Sequence, residues 1–180
     1  YDKKRKYEIM VVDDCSSDDS LEILAQEFPT VRAEKTPLNY GFHGANNFGA
    51  GLSRSHLIMP MNNDIKLADD ALYHLAEHFE NDKDTFSVSG KFYAFDGTTF
   101  LYGNRGGTFR NGHFYLYEKE PNDSSQTLFA CGGAFMVKRE GYLKLGGFDP
   151  IYHPLYYEEI DLSYRALKRG WKVHYEPKSV

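Results

Sequence analysis

The segment YYEEIDLSYRALKRGW, Tyr156 to Trp171, sets Glu158, Glu159 and Asp161 close together ahead of a helix-like pattern. A carboxylate so placed can accept a proton from a substrate when its surroundings hold its pKa near the working pH. Acidic side chains in a first turn equally complement the partial positive charge of a helix N-terminus. Asp161 and Arg165 stand at the i, i+4 spacing of a helix-surface ion pair, and Leu162, Ala166 and Leu167 make an apolar side. Gly170 falls where a left-handed C-cap is expected. Local sequence leaves both roles, proton acceptor and helix start, open for these acids.

Two further polar clusters end apolar runs. YEIMVVDD reads as a buried strand, Ile9 to Val12, terminating at Asp13 and Asp14; HLIMPM reads as another, terminating at Asn62, Asn63 and Asp64. Ligands of open α/β sheets collect at the carboxyl ends of strands, so two polar ends on one rim point to a polar ligand. The alternative for each is a cap or turn, which Asp and Asn also serve. Asp64 has the placement of a carboxylate that shares a divalent cation, Mg2+ or Mn2+, with phosphate oxygens and water. Asn62 and Asn63 would add donors and acceptors there without like charge. The glycines of GFHGANNFG could let backbone amides approach a diphosphate, although their spacing is neither a dinucleotide nor a P-loop fingerprint. HLAEH, His74 to His78, matches the H-x-x-E-H pattern of inverted zinc peptidases. Leu72, Leu75, Ala76 and Phe79 claim the opposite side of that helix, so its histidines are expected to face water with no third ligand, and the peptidase reading falls away.

Several elements must position these residues. Ser16 and Asp19 fit a capping box ahead of Leu21, Leu24, Ala25 and Phe28 at helical spacing. A short strand near 31–33, a short helix ending near Ser53, a helix marked by Leu72 to Phe79 and a loosely alternating strand from Phe86 to Phe92 follow. Residues 93–127, rich in Gly, Tyr, Phe and Asn, read as hairpin or loop. AFMVK looks like a strand, REGYLKLGG a short helix and WKVHYEP a last strand. Alternation of strand and helix argues for one α/β domain with a mainly parallel sheet flanked by helices. At 180 residues and 41% hydrophobic content the chain can bury a real core. A net charge of −5 offers no basic footprint for nucleic acid. Cys15 and Cys131, far apart, read as two lone buried thiols. No apolar run approaches the roughly 20 residues of a membrane span, and no signal peptide opens the sequence.

VVDDCSSDDS, NYGFHGANNFG, MNNDI, GGAFMVKRE, GGFDPIY and YYEEIDLSYRALKRGW, in this order, resemble family 2 glycosyltransferases of the GT-A fold, and within them the rhamnosyltransferase-like branch. The resemblance runs from about Tyr7 to Pro177 and implies a Rossmann-like sheet, with a nucleotide-binding half over about 7–66 and an acceptor and catalytic half over about 86–177. It implies a nucleoside-diphosphate sugar donor, a saccharide or lipid-linked acceptor, and inverting transfer in cell-surface polysaccharide synthesis. Asp14, with Asp13 beside it, corresponds to the acidic pair that reads the base. Asn62 and Asp64 correspond to the ends of the family's D-x-D motif, with Asp64 on Mg2+ or Mn2+ and the Asn62-Asn63 side near the ribose. Asn46 stands where many members carry an arginine near the diphosphate. Glu158-Glu159 corresponds to the ED motif, which makes Glu159 the expected general base and Glu158 the fallback. The resemblance also implies that a strand and helix precede YEIMVVDD in the complete fold, a location in the cytoplasm, and peripheral association with the inner membrane face. Asn62 and Glu159 depart from the usual aspartates, which keeps a non-catalytic sugar-nucleotide or glycan-binding domain as the alternative.

Overall fold

The computed structural model describes residues 7–180. The chain begins with β1 (Met10–Asp13), α1 (Ser20–Glu27), β2 (Arg32–Lys35), α2 (Gly41–Leu52), β3 (Leu57–Ile58), α3 (Ala71–Asn81) and β4 (Thr85–Ser89). Short strands follow: β5 (Phe92–Tyr93), β6 (Phe100–Tyr102), β7 (Arg105–Arg110), β8 (His113–Glu118) and β9 (Ser125–Gln126). The chain then returns through β10 (Phe135–Lys138), α4 (Arg139–Lys144), a 3-10 turn at Pro150–Tyr152, α5 (Glu158–Leu167) and β11 (Lys172–Tyr175).

The central sheet is mixed, not mainly parallel as the alternation of elements suggested. Its order is β3-β10-β4-β11-β9, and of these neighbours β4 and β11 alone run parallel. The reason is the 93–127 excursion. It carries the chain away from β4 and returns it as β10, which inserts antiparallel between β3 and β4. Residues 93–127 themselves fold as hairpins, β5 with β6 and β7 with β8. Asn111 (φ 51°) and Gly112 (φ 78°) turn the second hairpin, a pair of residue types that tolerate the left-handed region at both central positions.

Apolar side chains cover both faces of this sheet. On one, Phe86, Phe135, Val137 and Val173 meet Tyr142, Phe148, Leu162 and Ala166 from the α4–α5 region. On the other, Val88 and Met136 meet Leu75 and Ala76 of α3. Phe86 and Val88, two apart on one strand, reach opposite faces because the β4–β11 register shifts between Lys172 and Val173: a single step on β11 spans Thr85 to Ser87 on β4. That bulge explains the loose alternation of the segment in sequence.

β1 and β2 form a separate parallel pair. β1 is not the buried strand its composition suggested, for Ile9 is 66% and Val11 37% exposed. α1 begins at Ser20 rather than at a Ser16–Asp19 capping box, has no side-chain cap and buries no residue fully. α2 packs on β1 through Gly49, where an added Cβ would stand 3.0 Å from Val12.

Candidate active site

Asp13 and Asp14 lie where the sequence put them, at the end of β1, and both carboxylates are engaged. Asp13 is 7% exposed; its Oδ2 accepts from the Ser16 amide (3.2 Å) and stands 3.6 Å from Lys35 Nζ. Asp14 accepts from the Thr36 hydroxyl (2.9 Å) and from the amides of Tyr40 (2.8 Å) and Gly41 (2.7 Å). It therefore caps the start of α2 from across the chain, a role Tyr40, at the N-cap, does not fill. Two amides at the start of α2, where the glycines suggested a diphosphate contact, are taken by this carboxylate. Asn46 turns back on its own helix, donating to the Phe42 carbonyl (2.8 Å).

The second cluster belongs to a larger constellation. The Asn62 amide donates to the Gly133 carbonyl (2.9 Å), which ties the end of the β3 segment to the turn leading into β10. Asn63 and Asp64 project from that turn into solvent. Around the same turn, a Cβ on Gly133 would meet Ile65, Phe92 and the Tyr102 hydroxyl at 3.6–3.7 Å, and one on Gly132 would meet the Glu159 carboxyl carbon at 3.2 Å. The Tyr102 ring packs against Phe92 (centroids 4.9 Å apart), with the Arg105 guanidinium 6.0 Å from its centroid. Burial, then the Cys131 thiol and the Asp64 charge, push the Tyr102 hydroxyl up to about 12. Burial above all, with the Glu159 charge adding, pushes Cys131 up to about 11, so the thiol is neutral at pH 7. Asp64 and Glu159, 95 positions apart in sequence, thus flank one turn: Glu159 lies against Gly132, while Ile65, next to Asp64, and Tyr102 lie against Gly133.

Glu159 is half-buried, and its carboxyl is raised above the ordinary range by burial first and by the Glu158 charge second. Glu158 is 2% exposed, and its Oε1 has no hydrogen-bond partner. Tyr157, at φ 81°, turns the chain into α5 just ahead of the pair. Asp161 is occupied structurally: its Oδ2 accepts from Arg165 Nε (2.7 Å), and the same guanidinium donates to the carbonyls of Leu145 (2.5 Å) and Gly147 (2.8 Å).

The sequence reading passed over Asn47. Its Oδ1 accepts from the Tyr142 hydroxyl (2.7 Å) and the Phe148 amide (2.9 Å), and its Nδ2 donates to the Phe148 carbonyl (2.8 Å). These bonds bolt α2 to the GGF turn below α5. Gly147 makes room for them, since a Cβ there would stand 2.1 Å from Asn47 Oδ1. Cys131 was expected buried and is half-buried; Cys15 was expected buried and is exposed. The histidines of HLAEH do not converge. His74 lies 3.3 Å from Asp70 and 3.5 Å from Glu77, whereas His78 pairs with Glu176 (2.8 Å), and both side chains are largely buried, not open to water as the helix pattern implied. No group of three or more metal-binding side chains forms among the described residues. At Asp64 a lone carboxylate with neighbouring amides still suits a cation that takes its remaining ligands from phosphate and water.

A fold of this kind, with polar loops gathered at the ends of β1 and β3, is of the GT-A type. The sequence matches the model described as Glycosyl transferase family 2 over residues 2–146, well over half of the chain, and the chain belongs to that family. The match includes Asp13, Asp14, Asn46, Asn62, Asn63 and Asp64 and ends before α5. Among curated proteins nothing matches. Among solved structures, the crystal structure of GalNAc-T7 with UDP, GalNAc and Mn2+ superposes with a TM-score of 0.73 at 19% identity, covering 96% of this chain. The likeness is one of fold, and this chain spans 36% of that one.

Proposed function

We propose that this chain carries the donor site and the catalytic base of an inverting glycosyltransferase, which moves a sugar from a nucleoside-diphosphate sugar to a saccharide or lipid-linked acceptor in cell-surface polysaccharide synthesis. The observation that carries the reading is the Gly132-Gly133 turn: the Glu159 carboxyl lies against Gly132, while Gly133 accepts from the Asn62 amide and borders Ile65, next to Asp64, which supports a candidate base and a candidate metal ligand on two sides of one turn. Glu159 is the base because its carboxyl is partly exposed and raised, whereas Glu158, at 2% exposure, is closed off from any acceptor. In this reading Glu159 takes the proton of the acceptor hydroxyl as its oxygen attacks the anomeric carbon from the face opposite the leaving diphosphate. Glu158 keeps Glu159 basic by adding negative charge behind it.

A divalent cation, Mg2+ or Mn2+, held by Asp64 beside Asn62 and Asn63 supplies charge neutralisation for the departing diphosphate when bound. GalNAc-T7, crystallised with UDP and Mn2+, supports a nucleotide and a divalent metal on this fold. Asp14, with Asp13 beside it, holds the loop that would face the base and also anchors α2; Asn46 needs a new rotamer to reach a diphosphate. The rhamnosyltransferase-like branch, the cytoplasmic location and the inner membrane face belong to the same proposal. So does an upstream strand and helix, which would lie along the edge of β1 away from β2 and cover Ile9 and Val11.

The test is a thermal-shift screen of nucleotide sugars with and without Mn2+, followed by turnover of any donor that binds, in this chain and in an upstream-extended form. Metal-dependent stabilisation by a donor, lost in Asp64→Ala, and release of nucleoside diphosphate in the presence of an acceptor are expected. Donor binding unaffected by metal and by Asp64→Ala would remove Asp64 from the site. Binding with no turnover in the extended form would leave a binding domain.

A further inference from the structure

The β7–β8 hairpin leads away from this site, from Arg105 outward, and has two unlike faces. The pairs Gly107–Leu116 and Phe109–Phe114 make one face apolar, and its root packs on Leu128, which would meet a Cβ on Gly107 at 2.8 Å. The pairs Gly106–Tyr117, Thr108–Tyr115 and Arg110–His113 make the other face. Every residue on that face either is glycine or ends in a polar group, and none is acidic. Tyr115 is 52% and Tyr117 51% exposed. Tyr117 is held flat over the strand by Gly106, where a Cβ would stand 2.4 Å from its ring. Thr108, Arg110, Asn111, Tyr115 and Tyr117 line a cavity of about 410 Å³. Arg110 has no ion pair among the described residues, whereas Arg105 on the opposite face is paired to Glu118 (2.6 Å).

We infer that this face binds a saccharide chain, with pyranose rings lying on Tyr115 and Tyr117 and hydroxyl or carboxylate oxygens on Arg110, Asn111 and Thr108. Sugar rings present apolar C–H faces and polar rims, so rigid amphipathic rings flanked by fixed donors suit them. Tyr supplies that contact at low entropic cost, because few torsions must be frozen. An unpaired guanidinium adds the planar donor fork that hydroxyl and carboxylate oxygens accept. The root of the hairpin adjoins the proposed acceptor side: Arg105, on the opposite face, lies 6.0 Å from the Tyr102 ring centroid, and the strands extend about 20 Å from there at their usual rise. A chain held there would have its end delivered toward Glu159 while its distal units stay bound. This inference rests on the proposed transferase reading for that direction of delivery, but the binding face itself does not.

The experiment titrates the protein by calorimetry with cellohexaose, xylohexaose, chitohexaose and oligogalacturonate hexamer up to about 10 mM, the edge of weak binding. At least one should bind, and Tyr115→Ala, Tyr117→Ala and Arg110→Gln should each weaken it about tenfold or more, the loss typical of a central aromatic or arginine anchor. Phe109→Ala, on the opposite face, should leave it unchanged. Circular dichroism and melting of each variant separate lost binding from lost folding. Binding by none of the four, or binding insensitive to the three substitutions, overturns the proposal. Nucleotide-sugar stabilisation, measured on the same variants, should be untouched. Its absence in the parent chain would count against the transferase reading and not against this face.

Discussion

Glu158 and Glu159 are adjacent in sequence yet unlike in circumstance. Successive helical positions point about 100° apart, so one carboxyl is driven into the core and the other toward the Gly132 turn. The buried one is left with a bare Oε1, and an unsatisfied buried acceptor costs on the order of 1–3 kcal/mol. The half-buried one, Glu159, is raised chiefly by burial. For a base that must be ionised, a raised pKa moves the acid limb of the rate profile upward from the ordinary carboxylate range. Activity is expected to rise as pH rises through that shifted pKa, and Glu159→Gln should lower kcat about 100-fold or more and abolish the limb while nucleotide titration stays unchanged. Persistence of the limb in the variant would assign it to another group. The sign for stability is opposite. A carboxyl raised in the folded state binds more protons than in the unfolded chain between the two pKa values, so stability falls as pH rises through that window. Glu159→Gln should flatten this part of the pH–melting curve.

At the scale of elements, the site depends on contacts far apart in sequence. Asn47 ties α2 to Phe148, and Arg165 ties α5 to the carbonyls of Leu145 and Gly147. The turn that carries Gly147 is therefore gripped from two helices, α2 and α5. Asn47→Ala leaves a Tyr142 hydroxyl and both polar groups of Phe148 without their partner, and should cost about 2–4 kcal/mol in urea denaturation. Gly147→Ala should be comparably harmful, since its φ of 69° disfavours any Cβ and the added carbon would strike Asn47. A loss under about 0.5 kcal/mol for either would show that the turn has a second means of support. Asp161→Asn, by contrast, should disturb stability and leave the acid limb in place, because its carboxylate serves Arg165 and not the site.

The whole molecule is unevenly packed. The five-stranded sheet is covered on both faces, while the β1–β2 pair and α1 leave Ile9, Val11, Ile23 and Phe28 substantially exposed. Ile9→Lys and Val11→Lys should be nearly neutral in this chain, within about 0.5 kcal/mol, as surface substitutions usually are. If an upstream strand covers that edge, the same substitutions should destabilise an extended form by about 2 kcal/mol or more, the order expected for putting a charge where apolar area was buried. Equal neutrality in both forms would remove the upstream strand from that edge.

Elements with a strong local signature were legible without coordinates. α3, α4, α5, β10 and β11 follow from periodicity and turn residues, because helical and strand patterns repeat over a few neighbours and need no distant partner. The polar strand ends, the Asp161–Arg165 pair and the left-handed Gly170 (φ 78°) were visible for the same reason. What sequence could not decide was anything set by chains meeting from afar. The sheet is mixed because β10 enters after a long excursion; Asp14 is consumed by α2 through the fold of β1 onto it; Asn47 finds partners 101 positions away. Which of three neighbouring acids was left partly exposed, raised and beside Cys131 also depended on tertiary packing. Residue types and their spacing determined that carboxylates would stand at this helix start. Burial and direction, which only the packed chain supplies, decided that Glu158 enters the core, Asp161 pairs with Arg165 and Glu159 stands against the Gly132 turn.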